Sequence, residues 1–170
     1  YPDVTKLIVW DVADNGTLTR VHETTLDNTY YGDVRLQMAA LSTSRIVIGS
    51  QRGRIGALGL DVLSVAGSGA LAPVGSTGID NVQDFRLQTL ASDRFAAVIQ
   101  DGSDNGTVRQ FTLSSQGYPY QLGASSAAGK VRSLDLANAS GAGFGMGFVT
   151  ALRENSDTLR LASWDVAGTT

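Results

Sequence analysis

Apolar positions along this chain fall in short blocks separated by Gly, Asn, Asp and Ser. Residues 5 to 12 (Thr-Lys-Leu-Ile-Val-Trp-Asp-Val) put apolar side chains on both faces of an extended strand, the pattern of a strand covered on each side. Asp14-Asn15-Gly16-Thr17 follows, and Asn-Gly supplies the positive φ angles of a tight hairpin turn. Leu18 to Thr24 then alternates apolar and polar, as a half-exposed edge strand does. No window of about 12 residues keeps a 3.6-residue apolar stripe, so the pattern predicts many strands and almost no helix.

The blocks repeat. Asp33-Val34-Arg35-Leu36-Gln37 matches Asp84-Phe85-Arg86-Leu87-Gln88, Arg45 to Ser50 matches Arg94 to Ile99, and residues 69–75 and 118–123 read as edge strands. A third passage offers residues 130–134, 147–153 and a closing strand at Trp164. The opening Trp-Asp-Val strand has counterparts throughout: Asp11, Asp61, Thr112 and Asp165 are 50, 51 and 53 residues apart. The units run roughly 1–32 (partial), 33–81, 82–129 and 130–170 (partial), within a single repeat domain of residues 1–170.

A period near 50 residues with four strands in each unit predicts an all-β β-propeller, about three four-stranded blades per chain. Small residues at Gly49, Ala96, Ala97 and Ala151 let neighbouring sheets approach closely. Thirteen strands make three blades plus one surplus copy of the Trp-Asp-Val strand. A ring needs at least about four blades, so the array is expected to close as a homo-oligomer, a dimer completing a ring of about six, or within a longer chain.

Composition narrows the classes. With 42% apolar and 17% charged residues over 170 positions, the chain has material for one folded domain with a core. A net charge of −3 and a pI of about 4.9 argue against a nucleic-acid partner, which needs a clustered basic face. Cysteine is absent, which excludes disulfides and thiolate chemistry, and the single His22 excludes any site built on two histidines. No apolar run reaches the roughly 18 residues of a membrane span, and no export signal is visible. The sequence opens at Tyr1 and not at Met, as a mature, trimmed or excised piece would.

Candidate sites are few. Arg35, Arg86 and Arg132 take matching first-strand places, nearest the channel of a propeller. One reading is a ring of guanidinium groups for an anion, a carboxylate or a phosphate. The other is that each Arg bonds a neighbouring blade through Asp33, Asp84 or Asp135. Asp101-x-Ser103-x-Asn105-Gly106 has the front half of an oxygen-rich calcium loop, but Arg109 and Thr112 stand where later ligands belong, which favours a plain turn. Calcium is the one cofactor these residues suggest. Tyr30, Tyr31, Tyr118 and Tyr120 lie in loops and edge strands and are the candidates for a ligand surface, whereas Trp10 and Trp164 sit where blades pack. His22 sits beside Glu23 on an alternating strand with no triad spacing around it. Asn15, Asn105 and Asn138 each begin an Asn-x-Ser/Thr sequence, which matters only in a glycosylating pathway.

Residues 7–21 and 149–166, with their Trp-Asp-Val strands and the Gly-Thr-Leu-Thr run at 16–19, resemble a repeat of uncharacterised bacterial propeller-type proteins. They are similar, more loosely, to blades of the seven-bladed lactonase-like propellers. The resemblance implies blade architecture over nearly the whole chain, and it carries no catalytic motif of the lactonase-like group onto these residues. The favoured function is a non-catalytic binding or scaffold module taking a glycan or a partner protein at loops or channel. The alternative is a lactonase-like hydrolase active only in the assembled ring, which needs a metal or acid-base cluster at the channel mouth.

Overall fold

A computed structural model describes residues 5–26, 34–123, 125–138, 147–154 and 156–165. The described residues form thirteen strands and no helix. In chain order they are β1 (Thr5–Val12), β2 (Leu18–Leu26), β3 (Val34–Ser42), β4 (Arg45–Arg52), β5 (Gly56–Val65), β6 (Leu71–Ala91) and β7 (Arg94–Asp101). They continue with β8 (Asn105–Leu113), β9 (Pro119–Gln121), β10 (Ser126–Lys130), β11 (Ser133–Asn138), β12 (Gly147–Arg153) and β13 (Leu159–Asp165). The fold is all-β and antiparallel, in three sheets: β1-β2, then β10-β8-β7-β6-β5-β4-β3 with β9 also on β8, then β11-β12-β13. None of the sheets closes on itself.

The central sheet is two meanders sharing one strand. β6 pairs with β5 from Leu71 to Val82 and with β7 from Val82 to Ala91, so its first half ends one meander and its second half begins the next. The pattern predicted two strands here, at 69–75 and 84–88. They merge because the intervening residues hold no proline and Thr77, Gly78 and Ile79 continue the ladder on β5. Only the positive φ of Asn81 and register shifts on either side of Val82 mark the crossing. The next crossing is the reverse case. The predicted strand 118–123 is cut to β9, and a separate β10 takes the same edge of β8 nearer its start. Gly123, at positive φ, lies in that interruption, and Gly129, also at positive φ, marks a register shift within β10.

Register also corrects the motif alignment. The Asp-x-Arg-Leu-Gln motifs are 51 residues apart, but Arg35 lies opposite Gln51 while Asp84 lies opposite Gln100, a repeat of 49. Arg35 therefore takes the place of Asp84, and Gln37 that of Arg86. The hairpin turns set this, Ser42 pairing with Arg45 and Ala91 with Arg94. A slip of two leaves every side chain on its own face of the sheet.

Two cores result. Between the first and second meanders lie Val47, Leu58, Leu60, Phe85, Phe95 and Phe111, with the Phe95 and Phe111 rings stacked at 5.0 Å. Between the second meander and the third sheet lie Ala96, Val98, Val108, Val131, Leu134, Phe148 and Leu152. β7 serves both, and Phe95 to Gln100 is buried without a break. A Cβ on Gly49 would strike the Phe85 ring, so glycine is what lets the first two sheets meet there. No helix among the described residues is long and apolar enough to cross a membrane.

Candidate functional site

The joints between sheets hold the most organised polar groups. Gln51, fully buried at the end of β4, donates from Nε2 to the Val82 carbonyl at 2.7 Å and to the Gln83 carbonyl at 3.1 Å. Gln100, buried at the matching place in β7, donates from Nε2 to the Val131 carbonyl at 2.8 Å. Each glutamine reaches 31 residues ahead, to the backbone that leads into the next meander. The sequence reading passed over both. Their shared place at the end of a second strand was the available signal. At the third occurrence of this place stands Arg153, whose Nη2 lies 3.1 Å from Asp157 within its own hairpin.

The arginines join the same system. Arg35 Nη1 lies 3.1 Å from Asp84 Oδ1 and donates to the Gln83 carbonyl at 3.0 Å. Arg86 Nη1 donates to the same Asp84 oxygen at 3.0 Å, and its Nε lies 3.9 Å from the exposed Asp135. Arg35, Asp84 and Arg86 line an open cleft of about 400 Å³ between β3 and the second half of β6. Gln37 Oε1 accepts the Leu87 backbone N–H at 2.9 Å, and Thr89 Oγ1 donates to the Ala40 carbonyl. Side chains thus satisfy backbone groups along first strands that have a neighbour on one side only. Arg132 stands apart from this cleft, in the bend before β11, with Nη1 3.7 Å from Asp157. Ion pairs this exposed contribute roughly 0–1 kcal/mol each, so they align strands more than they stabilise them.

The Asp101 loop is closed on itself. Asp101 Oδ1 accepts the backbone N–H groups of Ser103 and Asn105, both at 2.8 Å, and Oδ2 accepts the Asn105 side-chain amide at 2.8 Å. Lys130 Nζ donates to the Ser103 carbonyl at 2.6 Å. Burial pushes the Asp101 carboxyl up, but the Asn105 and Ser103 donors and the nearby Lys130 charge outweigh it and hold the pKa below its ordinary value. No group of three or more carboxylate or imidazole side chains gathers among the described residues.

Tyr118 and Tyr120 sit two residues apart in and beside β9, so they share a face, and they are 53% and 51% exposed. Tyr118 rests on the backbone of Gly75, where a Cβ would lie 2.7 Å from its ring. Tyr30 and Tyr31 lie outside the described residues. The two tryptophans differ. Trp164 stacks on Phe148 with centroids 6.2 Å apart and donates from Nε1 to Thr150 Oγ1 at 3.0 Å, whereas Trp10 is 50% exposed. His22 is half-buried opposite Val9, in a hairpin where Glu23 pairs with Lys6 and Arg20.

Comparison with known protein families, with curated proteins and with solved structures gives no match for this chain.

Proposed function

We propose that this chain is a binding or scaffold module whose meanders are propeller blades, with two copies completing a ring of about six. The observation that carries this reading is the repeated joint. Gln51 and Gln100 are buried polar side chains that each donate to the backbone leading into the next meander, and the same donor meets the same kind of carbonyl at the same spacing. A chain that repeats such a joint is built to extend and close an array.

The ligand surface we assign is the Tyr118–Tyr120 face of β9, two phenol rings held outward by a strand whose Pro119 is buried between them. Such rings stack on the apolar faces of sugars and keep hydroxyls free for hydrogen bonds. In a closed ring the Arg35–Asp84–Arg86 cleft would lie along the channel. The test is a glycan array probed with the whole protein. Retention that falls about tenfold in Tyr120→Ala supports the reading, tenfold being the size of one lost aromatic contact. Retention unchanged in Tyr118→Ala and Tyr120→Ala, or no retention at all, overturns the glycan assignment.

A further inference from the structure

The strand β1 repeats the β13 sequence but lacks its setting. Leu7-Ile8-Val9-Trp10-Asp11 matches Leu161-Ala162-Ser163-Trp164-Asp165. β13 lies on β12, which sets Phe148 opposite Trp164 and Thr150 opposite Ala162. Among the described residues β1 has β2 on one edge and no strand on the other. Trp10 and Ile8 are 50% and 41% exposed in consequence. In turn, among the described residues, the β11–β12–β13 sheet has no fourth strand, although the first meander has one in the first half of β6.

We propose that in a dimer the β1–β2 hairpin of each protomer replaces β13 on β12 of the other. This rests on the two-copy ring proposed above. The exchanged sheet runs β11, β12, then β1 and β2 of the other copy, a complete four-stranded meander. Trp10 takes the place of Trp164 beside the partner's Phe148, and its Nε1 meets the partner's Thr150 hydroxyl. The internal joints show what else is gained. Leu36 and Met38 of β3 match Phe85 and Leu87 in register. Phe85 and Leu87 pack on Gly49 of the preceding meander, yet Leu36 and Met38 are 43% and 63% exposed. The exchanged sheet puts the partner's Val149 and Ala151, which match Ala96 and Val98, over that open face. The replacement reuses contacts that β13 already makes within one chain, the stack on Phe148 and the hydrogen bond to Thr150, with a strand of matching sequence.

The absence of cysteine makes the test direct. Ile8→Cys and Thr150→Cys are made in separate chains, as are Leu7→Cys and Ala151→Cys, because alternate antiparallel pairs differ in spacing. Each pair is refolded together and oxidised, and mass is read by sedimentation and by non-reducing gel. A disulfide-linked mixed dimer, far above what either chain gives alone, is the expected result. Trp10→Ala should weaken dimerisation by about tenfold or more, as loss of a buried aromatic anchor does, while leaving the monomer folded. A dimer that forms no cross-link at either pair, or that ignores Trp10→Ala, overturns the exchange and leaves the two-copy ring standing. A monomer at all concentrations overturns both, and leaves the β1 edge to a strand of another chain.

Discussion

At the first joint the chain crosses from one meander to the next as a single strand, β6, hydrogen-bonded on both sides of the crossing. At the second it makes the same crossing in three pieces, β9, β10 and β11, and the third sheet shares no ladder with the second meander. Both joints use the same glutamine. At the second, Val131 is held at both backbone groups, its carbonyl by Gln100 Nε2 and its N–H by the Asp104 carbonyl, each at 2.8 Å. The first joint has a backbone that carries the register across. The second depends on side chains and on packing, so its glutamine matters more.

The largest test of this contrast is in the cores. Phe95→Ala, at the fully buried centre of the first core, should lower global stability by about 3–5 kcal/mol in urea denaturation. Phe148→Ala removes the ring under Trp164 and should instead release the third sheet first, seen as early hydrogen exchange over 147–153 with β4 to β7 still protected. One coincident transition for both variants would break the contrast. Next come the clasps. Gln100→Ala leaves the Val131 carbonyl unsatisfied, which costs about 1–3 kcal/mol, and should speed exchange across β11 and β12. Gln51→Ala loses the same kind of bond beside an unbroken β6 and should loosen its neighbours less. Equal effects would mean that strand continuity contributes nothing.

The smallest effect is that of pH on the Asp101 turn beside the second joint. The folded pKa is depressed, so the contribution is full above the unfolded value and disappears as pH falls through the folded one. Thermal melts from pH 6 down to about 2 should therefore show Asp101→Asn losing less stability on acidification than the parent protein. Identical acid profiles would remove Asp101 from the joint.

Much of the strand set was legible because alternation and turn chemistry are local. Asn15-Gly16, Ser42-Thr43-Ser44 and Asp101-Gly102 each announced a turn that the fold contains. The junctions were not legible. Residues 76–83 lay between the strands read at 69–75 and 84–88, yet they are strand because β5 offers them a ladder, whereas the strand read at 118–123 is cut to β9. Nor did the motif match reveal register, since Arg35 and Arg86 share a motif but stand two residues apart in the sheet.

The candidate residues divide in the same way. Arg35 and Arg86 meet at Asp84, a pairing whose type was readable from repeated Asp and Arg. Gln51 and Gln100 carried only their shared place at the end of a second strand, since by type a glutamine there looks like any solvated one. By itself the sequence determined the all-β class, most of the strands and their turns, because these follow from side-chain periodicity and the φ preferences of a few residues. Only the tertiary structure decided which strands merge, which register the units keep and which of two matching Trp-Asp strands finds a partner. Those choices depend on what lies across the sheet, and no single stretch of chain contains that information.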